Sequence, residues 1–422
     1  MRRFIVLALI LLSPAVCSAA SVETFISPDC SFSAAYDFIG GAEDSLHISS
    51  YTISSPELVE LIKEKKAGGV AVEVLVEQAP AGGMSDRELY SLCDLSSAGI
   101  PVFLYDGDLR YMHAKYIIRD SKSSLVTSEN LGPQGFHPDA DYGNRGWGTI
   151  VHDSRISESL LETFGDDRDV SMAVSCGTEE FNLTPEAIPG AYGPVMERKT
   201  FTGQKVSLLY SPDSLEEILD LIGSAEDYIL VEQFYIYTHW GSPSGDTIES
   251  EPSPLVEALL DRAEEGVEIR VLLDSSYYNM DTNRSVSNYN TIAYLNGASL
   301  EGLPIEAAAI DLREKGLLKV HNKGMVIDGE KVLVSSINWN ENSVRNNREL
   351  GLIIEGDAAG YFAAAFSRDW QGADRIYPNG TSTKVSPGVW GETALDASGF
   401  WPAMLSLAAL ISVIIYFRRK KN

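Results

Sequence analysis

An internal repeat limits what this chain can fold into more than any other feature. The stretch "MHAKYIIRD" holds His113, Lys115 and Asp120, and "VHNKGMVID" holds His321, Lys323 and Asp328 at the same spacing. The repeat extends outward from these two points. "SPD" at Ser27 recurs at Ser211, and "AEDSLHISSYTI" from Ala42 recurs as "AEDYILVEQFYI" from Ala225. "SSPELVELI" (Ser54 to Ile62) matches "PSPLVEALL" (Pro252 to Leu260), each with Ser then Pro at the helix start. Glycine follows each helix and leads into an apolar run, "GVAVEVLVE" from Gly69 and "GVEIRVLLD" from Gly266, and "GIPVFLYD" answers "GLPIEAAAID". So many landmarks in one order mark a duplication.

Strand, helix and strand with continuously apolar strands predict two α/β domains with mainly parallel sheets, related by a pseudo-twofold axis and sharing one active site. The proline-bearing stretch "NLTPEAIPGAYGPVMERKTFTG" separates them. The expected boundaries are half 1 at 22–182, a linker at 183–203, half 2 at 204–372 and a second linker at 373–398.

In H-x-K on a strand, alternation sends both side chains to one face, so each half projects an imidazole and an ammonium together. Pairing the halves about a twofold would bring two imidazoles to one pocket with two cations between them. A phosphodiester needs those groups: a nucleophile, an acid for the leaving alcohol and cations for the phosphoryl oxygens. Histidine titrates near pH 6.5, so one ring can be neutral while the other is protonated.

The pattern H-x-K-x4-D followed by S-x-N resembles the phospholipase D superfamily, also called the HKD family. It covers nearly the whole chain between its two ends, with Ser128 and Asn130 in "TSEN" and Ser336 and Asn338 in "SSIN". The resemblance implies a phosphohistidine mechanism: one histidine attacks phosphorus while the other protonates the leaving group and then activates water or an acceptor alcohol. It also implies that Lys115, Lys323, Ser128, Asn130, Ser336 and Asn338 bind the phosphoryl group. Asp120 and Asp328 complete the catalytic motif by family pattern, and their place at strand ends suggests a structural role. Neither a metal nor another cofactor is implied.

Two departures from the family pattern stand out. Thr127 and Ser335 occupy the place of the glycine before the serine. In "NNRELGLII" Glu349 stands where family members carry an acid that orients a histidine, and we assign it to His321; "GNRGWGTIV" has Gly146 there, with Asp139 or Asp141 as substitutes. Family order favours His113 as nucleophile, whereas orientation by an acid favours His321, so the residues leave that choice open.

The ends carry targeting signals. "MRRFIVLALILLSPAVCSAAS" has the anatomy of a secretory signal peptide (1–20), with a retained anchor as the alternative and Val16 a poor fit for a lipobox at Cys17. "FWPAMLSLAALISVIIYF" followed by "RRKKN" reads as a transmembrane helix (399–417) with a basic cytoplasmic tail (418–422). Apart from "SGF" in place of Pro-Gly-Phe, the tail resembles archaeal C-terminal sorting signals. The expectation is a single-pass protein of the cell membrane with its catalytic part outside. Cys30, Cys93 and Cys176 remain after signal removal, and two of them can pair in an exported protein. Asn182, Asn283 and Asn379 each begin a glycosylation sequon.

Between the termini 27 basic residues face 60 acidic ones, a net charge of −33. Such a field disfavours long-range steering of nucleic acid or of an anionic membrane. The leading expectation is a monomeric phosphodiesterase of the phospholipase D type that hydrolyses or transfers phosphatidyl groups, as cardiolipin synthases do. Trp240, Tyr277 and Tyr278 are candidates for an apolar rim. The alternatives are an extracellular nuclease with the same four residues and a catalytically silent surface-binding protein.

Overall fold

The computed structural model describes residues 19–177, 181–183, 191–241 and 247–386. The expected transmembrane helix and basic tail, and residues 1–18 of the expected signal peptide, lie outside the described residues. Among the described residues no helix is long and apolar enough to cross a membrane.

The first half runs β1 (Ala20–Ser27), α1 (Ser31–Gly40), β2 (Ser45–Ser50), α2 (Pro56–Ala67), β3 (Ala71–Glu77), α3 (Asp86–Ser97), β4 (Val102–Tyr105), β5 (Tyr116–Arg119), β6 (Ser123–Thr127), β7 (Gly146–His152), α4 (Ser154–Asp169) and β8 (Met172–Ala173). The second runs β9 (Lys199–Ser211), α5 (Leu215–Gly223), β10 (Tyr228–Gln233), α6 (Pro254–Glu264), β11 (Glu268–Leu273), α7 (Asn288–Leu300), β12 (Ile305–Ala309), α8 (Leu312–Lys315), β13 (Lys323–Ile327), β14 (Lys331–Ser335), α9 (Glu341–Arg345), β15 (Glu349–Glu355), α10 (Ala358–Trp370), β16 (Asp374–Ile376) and β17 (Ser382–Lys384). As the Ser-Pro pairs predict, Ser55 and Ser253 are the N-caps of α2 and α6, with Pro56 and Pro254 in the first turn.

Strand order is the same in both halves. It reads β1–β7–β6–β5–β2–β3–β4 in the first and β9–β15–β14–β13–β10–β11–β12 in the second. The expectation of mainly parallel sheets is corrected here: only β2–β3–β4 and β10–β11–β12 pair in parallel, and the other pairings of each series are antiparallel. The helical crossovers α2, α3, α6 and α7 require parallel neighbours, whereas the tight turns at Asp120 and Asp328 reverse the chain. Apolar strand runs suggested parallel pairing because they signal burial on both faces. Here that burial is imposed by helices on either side of a mixed sheet.

Three apolar cores follow from this layering. One lies between the first sheet and α1, α2 and α3, and another between the second sheet and α5, α6 and α7. The third joins the halves and holds α4 and α10 among residues of both sheets, including Trp147, Phe164, Val326 and Phe362. β9 belongs to both sheets: Lys199 to Gln204 lie along β1, and Lys205 to Ser211 along β15. That strand begins inside the segment expected to be a linker, and β16 and β17 likewise fall at the start of the expected second linker. A disulfide joins Cys93 on α3 to Cys176 and leaves Cys30 free.

The halves also exchange main chain and charge at the repeated motifs. His113 N donates to Arg348 O at 2.8 Å and His321 N to Arg145 O at 2.8 Å. The two arginine side chains then reach the last helix of the opposite half or its equivalent. Arg348 Nε and a terminal nitrogen bind Asp167 of α4 at 2.9–3.0 Å. Arg145 meets Asp369 of α10 at 2.6 Å and Asp29 at 2.7 Å, and also donates to Tyr192 Oη and Ser27 O. Removing the guanidinium with Arg145→Ala strands Asp29 and Asp369 without their buried counter-charge. It should cost about 3–5 kcal/mol in equilibrium urea unfolding, and more than Arg348→Ala, whose partner pair reaches solvent.

Candidate active site

Each H-x-K segment leads into a strand of its sheet: Lys115 immediately precedes β5 and Lys323 opens β13. An acid from the end of a neighbouring strand fixes the approach. Glu77, at the end of β3, accepts from Met112 N at 2.6 Å, and Asp274, just after β11, accepts from Val320 N at 2.8 Å. Each lysine side chain folds back so that its ammonium donates to the carbonyl of its own histidine, Lys115 to His113 O and Lys323 to His321 O. Both lysines are fully buried, at 1% and 0% exposure, which places two cations against the two imidazoles.

Each of the two motif histidines has a carboxylate of the other half beside it. Glu349, the first residue of β15, accepts from His113 Nδ1 at 2.7 Å. This corrects the sequence assignment of Glu349 to His321. The reason is the main-chain exchange, since Arg348 pairs with Tyr111 and His113 and so delivers the next side chain across the seam. On the other side Glu129 Oε2 lies 3.4 Å from His321 Nδ1. Asp139 and Asp141, expected as substitutes, are exposed beside His137 instead. Those three residues bring possible ligand atoms within 4.8 Å of one another, but exposed acids cluster this way commonly without an ion. Glu129 was missed in the sequence. The available signal was a charge inside "TSEN" where the second half has Ile337.

Ser128 and Ser336 are corrected as phosphate ligands. Both are fully buried: Ser128 Oγ accepts from Trp147 N at 3.0 Å, while Ser336 Oγ donates to Glu349 Oε2 at 2.6 Å and accepts from Leu350 N at 3.0 Å. They brace the acid-bearing strands. Thr127 and Ser335, in place of glycine, cap the same turn by accepting from Glu129 N and Ile337 N. Asn130 and Asn338 each keep a side-chain oxygen without a partner among the described residues. An amide flip turns that end into a donor.

Asp120 and Asp328 take no part in the pocket. Asp120 accepts from the backbone N–H of Glu43, Asp44 and Ser45, and Asp328 from those of Glu226, Asp227 and Tyr228. Each thus ties the hairpin after the H-x-K strand to the start of β2 or β10. Trp240 is buried in the second core and forms no rim, whereas Tyr277 is 93% exposed and Arg284 sits 4.0 Å from the Tyr278 ring centroid. The rings that do flank the histidines are Tyr51, edge-on to His113 at 4.7 Å, and Phe234, edge-on to His321 at 5.2 Å.

Burial dominates the electrostatics. It pushes the His113 imidazole down to about 4, against the upward pull of Glu349. Lys115 falls to about 7 for the same reason, with Glu349 and Glu129 opposing the fall. Burial, then the cations Lys323, Lys319 and Lys115, hold His321 well below its usual range. Lys323 is lowered by burial and then by Lys115. Burial alone would raise the Glu349 carboxyl, yet His113, Lys115 and Ser336 bring it below the ordinary value. An ionised carboxylate only accepts, so His113 Nδ1 carries the proton it shares with Glu349 and Nε2 keeps its lone pair. The arrangement holds one oriented neutral imidazole, a second imidazole and two desolvated lysines, whose charged forms a bound anion would favour. Those groups suit attack on an anionic diester, whose charge offsets the repulsion among the lysines.

Two segments, residues 36–168 and 218–370, match the family model described as "Cardiolipin synthase, PLD-like domain". A probable cardiolipin synthase of Bacillus subtilis (strain 168) is 25% identical over 80% of this chain and 64% of its own length. Cardiolipin synthase A of Yersinia pseudotuberculosis is 24% identical over 64% of this chain and 49% of its own length. The chain therefore spans less than two thirds of the length of either relative. Among solved structures, a phosphatidylserine synthase of Haemophilus influenzae superposes with a TM-score of 0.59 at 14% identity, covering 82% of this chain and 86% of that one. With a family model matched in both halves and the duplicated fold around it, the chain belongs to the cardiolipin synthase group of phospholipase D-like domains.

Proposed function

We propose that the chain is a phosphodiesterase of the phospholipase D type that hydrolyses phospholipids or transfers their phosphatidyl group to an alcohol. The observation that carries this reading is the exchange of carboxylates between halves, with His113, Lys115 and Lys323 close enough for their charge to act on His321. The names of the relatives favour a phosphatidyl substrate. The terminal signals favour an exported domain held at the membrane by a single C-terminal helix.

In the proposed cycle His113 Nε2 attacks phosphorus, and the bond to the leaving alcohol breaks as His321 supplies its proton. His321 then takes a proton from water or an acceptor alcohol, whose oxygen displaces His113 from phosphorus. Lys115, Lys323, Asn130 and Asn338 hold the non-bridging oxygens. The choice of His113 as nucleophile rests on its short contact to Glu349 (2.7 Å), which steadies the ring and the imidazolium character that develops on it.

Product analysis of the purified ectodomain, offered phospholipid vesicles with and without glycerol and single-stranded DNA in parallel, tests the substrate class. Headgroup release, with a glycerol-dependent transfer product, is expected; cleavage of DNA alone would replace this reading with a nuclease. Labelled activated diester should mark His113, and His113→Ala should abolish the label. His321→Ala should retain labelling yet lose about 10²–10⁴-fold in turnover of an ordinary phospholipid.

The lysines set a pH limit. Lys115 is a cation below about 7 and loses its charge above it, whereas His113 is neutral above about 4. Accordingly kcat/KM should rise through about pH 4 and have fallen by about pH 7, because Lys115 loses its charge there and His321, held below its usual range, gives up the proton it must donate as the pH rises. Lys115→Arg should move the falling limb upward, because guanidinium stays protonated. A wild-type profile flat to pH 9 would remove the phosphate-holding role from Lys115.

A further inference from the structure

We propose that Glu129 is the positioning residue of His321, a carboxylate carried on a turn instead of a strand, and that Gly146 is glycine to leave it room. The inference rests on the phosphodiesterase reading above.

Sheet register makes the comparison between halves unambiguous. Gly146 pairs with Ser27 at the start of β7 as Glu349 pairs with Ser211 at the start of β15. Two residues earlier stand Asn144 and Asn347. Asn347 Nδ2 donates to Glu349 Oε1 at 2.9 Å, and Asn144 Nδ2 donates to Glu129 Oε2 at 3.0 Å. The same asparagine therefore holds the acid in both halves, although the acids occupy different places in the repeat. Where the first half has Glu129, the second has Ile337, buried in the core between the second sheet and α5, α6 and α7.

The two positions exclude each other sterically. A Cβ on Gly146 would lie 2.4 Å from Glu129 Oε1, 2.6 Å from Glu129 Cγ and 2.8 Å from Ser128 Oγ. Gly146 is not among the residues with positive φ, so its backbone does not call for glycine. Space is what calls for it. Glu129 is 1% exposed, its Oε1 has no partner among the described residues, and His321 Nδ1 is likewise without a hydrogen bond. Burying a carboxylate beside an unpaired imidazole nitrogen is costly unless the two serve one another. The 3.4 Å gap is of the kind that closes when substrate enters. The looser contact also fits a ring that must give a proton and later take one, in contrast to the clamped His113.

The test separates positioning from folding by the leaving group and by moving the carboxylate back. Glu129→Gln should lower kcat on an alkyl-alcohol diester about 10²-fold with little change in KM. With bis(4-nitrophenyl) phosphate, whose leaving group needs no proton, the burst of phosphohistidine on His113 should keep its wild-type rate, and its slow breakdown should make the adduct accumulate. The single variants Glu129→Ile and Gly146→Glu should both be crippled, the second by collision. Combined, they recreate the arrangement of the other half and should recover at least tenfold over Glu129→Ile. Wild-type kcat for Glu129→Gln on the alkyl diester overturns the proposal. So does a double variant that unfolds at the wild-type temperature yet recovers nothing. Should the double variant fail to fold, the leaving-group dependence of Glu129→Gln decides alone. A wild-type enzyme that forms no phosphohistidine defeats the functional reading itself, and this proposal with it.

Discussion

The arrangement of the site depends on the main-chain exchange at the seam, where Arg348 pairs with His113 and Arg145 with His321. The few main-chain hydrogen bonds of this exchange do not hold halves of such size together; the shared apolar core, the common strand β9 and the buried Arg145 do that. What the exchange fixes is register. It places Glu349 on the far side of the seam from its own histidine, and it turns each arginine toward an aspartate on the terminal helix of a half. A slip of one residue would turn the carboxylate away from the ring, because neighbouring side chains on a strand face opposite ways.

The site works against the character of the protein around it. The chain as a whole is strongly acidic, with a net charge of −27, yet the pocket concentrates Lys115, Lys323 and Lys319 near two histidines. Net charge governs encounter at long range, where salt screens it, whereas recognition of a phosphoryl group is decided within a few ångströms by desolvated cations. Lys115 and Lys323 are held in the pocket by their own histidine carbonyls and feel the two buried carboxylates Glu129 and Glu349. The stress of keeping like charges together is relieved by an anion, which is a physical reason for substrate to bind there.

Some of this was legible in the sequence. The duplication, the H-x-K motifs, the Ser-Pro helix starts and the asymmetry of Glu349 against Gly146 could all be read directly. The sheet type could not: an apolar strand run reports burial on both faces and is silent on the direction of its neighbour. Ser128 and Ser336 looked like ligands because of their motif, but a hydroxyl's partner depends on which strand lies behind it. Trp240 looked like a rim residue because it sits in a long insertion, and the fold drew it into the second core.

By itself the sequence determined the repeated halves, the identity of the histidines and lysines, and the expectation of phosphodiester chemistry, because spacing along a strand is a local property. Only the tertiary structure decided which acid serves which histidine. Glu349 is 28 residues from His321 and far along the chain from His113, yet it binds His113, and the missing acid at Gly146 is answered from Glu129. The physical reason is that orientation of an imidazole is a contact across the pseudo-twofold seam, and such contacts are set by the packing of two halves against each other, which no pattern within either half encodes.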